Sequence, residues 1–351
     1  MRQAASQRLP LTTPQKILFW ILLGALSAYF AESVAGSTMF PFTTGTGLVF
    51  VLPVYGLHIV VLSAITYRFG KPRFQTLYAA GMLCGMYEAY ITKVLWISNS
   101  PDGPLIRLGG VSVLDFLVLV LFWHPLMAFM LPLNVAERLL TASRSITLGR
   151  FSGSARGWIW VAVACGINQG IHSPSPVHSL AAGAVSLIVL LGLTTIWHRA
   201  GGDQYEMADL LPTGTTLGLL SMLLLLVYVF LTFQYRSDKL PGAGPQSTII
   251  AIYAVLILLF WLHLRRSKSA SDPETGEGLP LRFFGRMLVI VAVSSAIAST
   301  ILGVFGIKMV VFLTVLVVSA LVGLFVFVRF VADLFRTAER LPGMQATIPS
   351  V

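Results

Sequence analysis

The chain has 351 residues, of which only 11% are charged, and a mean hydropathy of +0.82, whereas a soluble domain carries about 25% charged residues. Its formal charge of +10 does not imply nucleic acid, because the basic residues are scattered over connecting segments and form no single face. Repeated apolar runs of about twenty residues define an all-α polytopic membrane protein whose first partner is the lipid bilayer.

The polar stretch Met1–Pro14 leads into an apolar run with no small-residue cleavage site behind it, so that run is read as a retained helix. Ten spans are expected, near Ile17–Ala31, Leu48–Arg68, Phe74–Trp96, Val111–Leu133, Gly157–Ile171, Val177–Trp197, Pro212–Gln234, Gln246–Leu264, Met287–Ile307 and Val310–Val328. With the N-terminus inside, this count leaves Arg107, Arg236, Lys239 and Lys308 outside and Lys93 within a span. All the remaining Lys and Arg fall on the inner side. Such a bias places both termini in the cytoplasm and the protein in the plasma membrane.

Spans 1 and 5 are the short ones, and each runs into irregular outer-side sequence, Ser33–Gly47 and His172–His178. Irregular backbone at membrane depth survives only when buried in protein or lining water. The organisation read from this pattern is a six-helix module over 1–200 carrying the polar site, and a two-helix apolar scaffold over 201–264. A flexible cytoplasmic linker over 265–286, a transmembrane hairpin over 287–330 and a cytoplasmic tail over 331–351 complete it. Cys84 and Cys165 lie in apolar spans and read as small buried hydrophobes. Trp20, Trp96 and Trp197 at span ends read as interfacial anchors.

Ionisable groups inside the spans carry the functional argument, because they are expensive there and face a packed interior or a cavity. Counting about 1.5 Å per residue from the span centres, His58, Glu88 and His124 fall near the bilayer midplane. Toward the outer side come Asp115, Lys93, Asn168, Gln169, Glu32, His172 and His178. Nothing comparable is read in the inner halves, so the pattern is a funnel open outward and closed below. At 100° per residue Gly81, Gly85, Glu88, Thr92 and Trp96 share one stripe. The Gly81-x-x-x-Gly85 pair on it invites a close neighbouring helix.

These residues are expected to take three roles. Glu88, His124 and His58 are the candidate acid–base groups. They also form a possible ligand set for a divalent metal such as zinc, with water in the fourth position. Glu32, Asn168, Gln169, His172 and His178 would bind a lipid or small-molecule ligand. Lys93 and Asp115, at similar depth, would form a structural ion pair. No zinc-protease, nucleophile-elbow, phosphate-loop or dinucleotide signature occurs. The pattern therefore points first to a membrane-embedded enzyme acting on a lipid or lipid-linked substrate. A transporter coupled through Glu88 and the histidines, and a noncatalytic assembly or sensing subunit, are the alternatives.

Overall fold

The computed structural model describes residues 10–97, 103, 106–145, 154–271 and 274–336; positions 1–9 of the expected polar N-terminal stretch and 337–351 of the tail expected over 331–351 lie outside them, and 331–336 continue the last helix instead of starting a tail. The described residues form ten main helices: α1 Thr13–Ser33, α2 Gly47–Phe69, α3 Phe74–Gly85, α4 Val113–Leu139 and α5 Ala155–His172, followed by α6 Pro176–Arg199, α7 Gly214–Gln234, α8 Ala243–Ser267, α9 Leu281–Val304 and α10 Lys308–Arg336. A two-residue antiparallel pair, Arg107–Leu108 with Val111–Ser112, precedes α4.

All but α3 and α5 are long and apolar enough to cross a membrane, eight helices in total. The first helix is expected to be short and is not. Thr12 and Gln15 cap it reciprocally, Pro14 sits in its first turn, and a π-helical turn Tyr29–Ser33 prolongs its other end, giving 21 residues. α5 is short as expected, 18 residues between the caps Ser154 and Ser173.

The core lies among α1 to α4, where 67% of the most apolar stretch of α1 is buried. The corresponding figure for α7 is 11%, and side chains such as Leu225, Phe230 and Phe325 project outward. An apolar outer ring of this extent is what a bilayer solvates.

Hydrogen bonds gather the connections at two ends. At one end Trp96 Nε1 donates to Lys239 O (2.8 Å), Lys308 Nζ to Ser173 O (2.7 Å) and Asn168 Nδ2 to Val34 O (2.8 Å). At the far end Gln15 Nε2 donates to Ala200 O (2.9 Å) and Ala142 N to Tyr205 O (2.8 Å). The linker expected to be flexible is held there. Lys71 Nζ donates to Ala270 O (2.6 Å), Arg138 Nε to Glu277 O (2.9 Å), and Thr275 bridges to Ser145. Nor are the three tryptophans simple interfacial anchors. Trp197 is fully buried with its Nε1 on Leu140 O (2.8 Å), and Trp20 reaches Leu210 O (2.8 Å).

Two irregularities position the site. Pro125 has no N–H to give, and α4 is π-helical from Phe116 to Met130 around it. Tyr78 OH donates to Leu121 O (2.6 Å) and the His124 Nδ1 takes Leu119 O (2.8 Å). Against this distorted stretch lies α3. A Cβ on Gly81 would stand 2.4 Å from Pro125 Cα, and one on Gly85 would stand 2.9 Å from His124 Cβ, so only glycine permits the approach. The second irregularity is the end of α3. The single helix expected over Phe74–Trp96 breaks after Gly85 into the short turns Tyr87–Tyr90 and Val94–Ile97, with Lys93 in the left-handed region at φ 64°. Tyr253 OH takes Met86 O (2.8 Å) at the first break.

Candidate functional site

A cavity of about 600 Å³ opens between the end of α1, the start of α2, the broken end of α3, α4 and α10. Glu32, Glu88, Asp115, His124, Asn168 and His172 line it together with Tyr55, Tyr87, Thr92, Trp123 and Arg236. Phe312, Val315 and Leu316 of α10 supply an apolar wall.

Its floor is one hydrogen-bonded chain. Glu32 accepts from Ser37 Oγ (2.6 Å) and from Tyr55 OH (2.8 Å). Tyr55 and Tyr87 share a hydroxyl–hydroxyl contact of 2.5 Å, and His124 Nε2 lies 3.2 Å from Tyr87 OH and 3.3 Å from Tyr55 OH. The same nitrogen faces Glu88 Oε1 at 3.5 Å, while Thr92 Oγ1 donates to Glu88 Oε2.

The backbone assigns the imidazole tautomer. Leu119 O can only accept, so His124 Nδ1 carries a proton, and Nε2 of the neutral ring is left as an acceptor. A carboxylate oxygen facing that nitrogen is a second acceptor. The Tyr87 and Tyr55 hydroxyls can donate to Nε2, and a proton between Nε2 and Oε1 would make their 3.5 Å contact favourable as well. The cavity reaches both His124 and Glu88, with 1% and 7% of their surfaces exposed.

His58 lies elsewhere. Its Nδ1 is held on Val54 O (2.7 Å), its Nε2 accepts from Tyr228 OH (2.9 Å), and it lines a separate, more apolar cavity of about 530 Å³ beside α7 and α8. It touches the floor only through its ring, 5.7 Å from that of Tyr87. The expected metal set of Glu88, His124 and His58 therefore does not assemble. Among the described residues no three His, Cys, Asp or Glu converge as a metal site.

The expected ion pair is also replaced. Lys93 is enclosed and its Nζ donates to Tyr235 O, whereas Asp115 Oδ2 accepts from Ser112 Oγ (2.5 Å) at the start of α4. Equal depth did not put them on facing sides, because the break at Lys93 turns its side chain toward the end of α7. Of the expected ligand-binding residues, Glu32, Asn168 and His172 reach the cavity. Gln169 is buried, its Nε2 donating to Ser33 Oγ (3.1 Å), and His178 packs edge-on against Phe40, ring centroids 4.9 Å apart.

Sequence reasoning missed Tyr55, Tyr87 and Tyr228, since a tyrosine in an apolar span costs little and gives no depth signal. It also missed a second polar layer at the far end. Glu137 is fully buried near the end of α4, accepting from Tyr67 OH and from Thr141 Oγ1 (3.2 Å). The inner half was read as empty because span 4 was ended at Leu133, whereas the helix continues to Leu139.

A ring of lipid-facing helices around a core with buried polar chains defines a multi-span helical membrane protein. A family described as an uncharacterized membrane protein family matches residues 21–342, and the chain belongs to that family. A protein of Archaeoglobus fulgidus, described as an uncharacterized protein, is 32% identical over 294 residues, which cover 81% of this chain and 90% of that one. No solved structure matches the chain.

Proposed function

We propose that this protein is a membrane-embedded enzyme in which His124 and Glu88 act as the acid–base pair on a lipid or lipid-linked substrate. The observation that carries this reading is the close approach of two buried ionisable groups at the cavity floor, His124 Nε2 to Glu88 Oε1 at 3.5 Å. In this scheme the proton shared by Nε2 and Glu88 passes to the substrate's leaving oxygen, and the emptied pair takes a proton back from a hydroxyl or water in the cavity, with Glu88 stabilising the imidazolium. Tyr55, Tyr87 and Glu32 extend the hydrogen-bonded chain to a second carboxylate. The apolar wall of α10 suits the hydrocarbon part of an amphiphile. With the basic loops in the cytoplasm, the cavity opens to the outer side of a plasma membrane.

The test is turnover. Purified full-length protein is incubated in nanodiscs with a total polar lipid extract, and products are sought by mass spectrometry. Glu88→Gln and His124→Ala should each cut product formation at least 100-fold, in line with the roughly 10²–10⁴ that acid–base groups contribute, while both variants stay monodisperse. Product formation surviving in both would overturn the reading.

One observation favours a second reading. Glu137, buried on the same helix at the far end, gives a transporter the second ionisable station that such a path requires. Proton-coupled uptake into proteoliposomes, abolished by Glu137→Gln as well as Glu88→Gln, would favour it.

A further inference from the structure

Two non-glycine residues in left-handed conformation meet at the cavity mouth, Lys93 at φ 64° and Arg236 at φ 49°. Each costs of order 1 kcal/mol or more of backbone strain, which persists only where surrounding contacts enforce it. Here the two enforce each other. Lys93 Nζ donates to the carbonyl of Tyr235, and Arg236 Nη1 donates to the carbonyl of Thr92 (3.3 Å). Trp96 Nε1 on Lys239 O (2.8 Å) fastens the same two segments once more. The clasp joins the mouth to the floor, because the hydroxyl of Thr92 holds the Glu88 carboxylate.

The clasp presents one guanidinium to the cavity. Arg236 is exposed and is the only Lys or Arg among the described lining residues. Of its five N–H groups, one is engaged by Thr92 O, and its face rests over the Tyr235 ring, 5.4 Å from the centroid. The lining carboxylates are already occupied: Glu32 by Ser37 and Tyr55, Asp115 by Ser112, and Glu88 by Thr92 and His124. The Lys93 ammonium is enclosed beside the mouth on the Tyr235 carbonyl, with Asp238 as a neighbouring counter-charge. Asp238, paired with Lys239 (3.3 Å), is the carboxylate nearest in sequence, and the exposed Arg236 guanidinium with donors to spare at the cavity mouth suits a phosphate-type anion.

We infer that Arg236, presented by the clasp with Lys93, recognises the phosphate-type head of the substrate at the mouth of the cavity. This rests on the membrane-enzyme reading. The head binds at Arg236, the hydrocarbon lies along Phe312, Val315 and Leu316, and the atoms below the head reach His124. Arg236 is then a binding residue, and Lys93 a positioning residue that acts through the Tyr235 carbonyl.

Binding tests this without turnover. Native mass spectrometry of the detergent-purified full chain is titrated with hexadecyl phosphate, hexadecanol, hexadecyltrimethylammonium and inorganic phosphate. The wild type should hold hexadecyl phosphate at least tenfold more tightly than hexadecanol. Arg236→Gln should raise that Kd at least tenfold, with Arg236→Lys intermediate and Lys93→Met weakening binding about threefold to tenfold. Competition by inorganic phosphate that disappears in Arg236→Gln would support the same site with free phosphate as the source. Preference for the trimethylammonium probe, or equal phosphate binding by monodisperse Arg236→Gln, would overturn the inference. Tyr228→Phe, at the separate cavity, should leave the hexadecyl phosphate Kd within threefold. Arg236-dependent binding without turnover in the lipid extract would sink the enzyme reading and leave the phosphate site standing.

Discussion

The single helix α4 carries two buried polar layers that look alike in composition and differ in access. Near its middle His124 meets Glu88, Tyr55 and Tyr87 beneath a cavity of about 600 Å³; near its end Glu137 meets Tyr67 and Thr141. Both glutamates are buried and both accept hydroxyl hydrogen bonds. Around Glu137 the packing is closed: Val135, Ala136 and Leu140 have no exposed surface. Around Glu88 the neighbouring helix has broken, and Pro125 has turned α4 π-helical, so side chains that would fill the space are spread around a void. A buried carboxyl becomes a candidate reactive group when local backbone irregularity keeps space open beside it. Burial alone does not do this.

The comparison can be broken most severely at the contact that joins α3 to α4. Gly81→Val would drive a side chain into Pro125 and should cost at least about 3 kcal/mol, read as loss of the monodisperse peak in size-exclusion chromatography. At the sealed layer, Glu137→Ala strands the Tyr67 and Thr141 hydroxyls and should cost about 3 kcal/mol, measured as a lowered Tm in detergent. Glu137→Gln, which keeps an acceptor, should cost about 1 kcal/mol. Tyr228→Phe removes one hydrogen bond from His58, outside the floor. It should cost about 1 kcal/mol and leave turnover unchanged. The smallest stability effect is expected at the open layer. Glu88→Gln keeps its shape and its Thr92 contact, so its Tm should lie close to wild type while turnover is lost. A large loss of stability there would make the two layers equivalent and remove the basis for calling one of them a site.

Much of this architecture was legible from residues. Apolar periodicity gave the helices, the cost of charge at depth singled out Glu88 and His124, and the Gly81–Gly85 spacing announced a close neighbouring helix, whose identity as α4 only the structure supplies. Depth, however, is one coordinate, and contact also needs the direction in which a side chain points around its helix. Lys93 and Asp115 share a level yet are turned apart by the backbone break at residue 93. His58 shares the level of His124 but faces Tyr228. The expected metal trio failed for that reason. Helix ends were misjudged where hydropathy falls before the hydrogen bonding stops, at Thr13 and at Leu139, and the second error concealed Glu137. The clasp of Lys93 and Arg236 joins residues far apart in the chain through backbone carbonyls, and no side-chain pattern announces such a bond.

The open layer and the sealed layer can be compared in one sample with a hydrophobic carbodiimide, which reacts with protonated carboxyls that an apolar reagent can reach. After labelling the detergent-purified wild-type protein, the adduct sites are mapped by peptide mass spectrometry. A cavity-exposed, proton-sharing Glu88 beside a packed Glu137 predicts labelling of Glu88 and none of Glu137. Labelling of Glu137 with Glu88 untouched, or equal labelling of both, would contradict the claim that the cavity floor carries the reactive group.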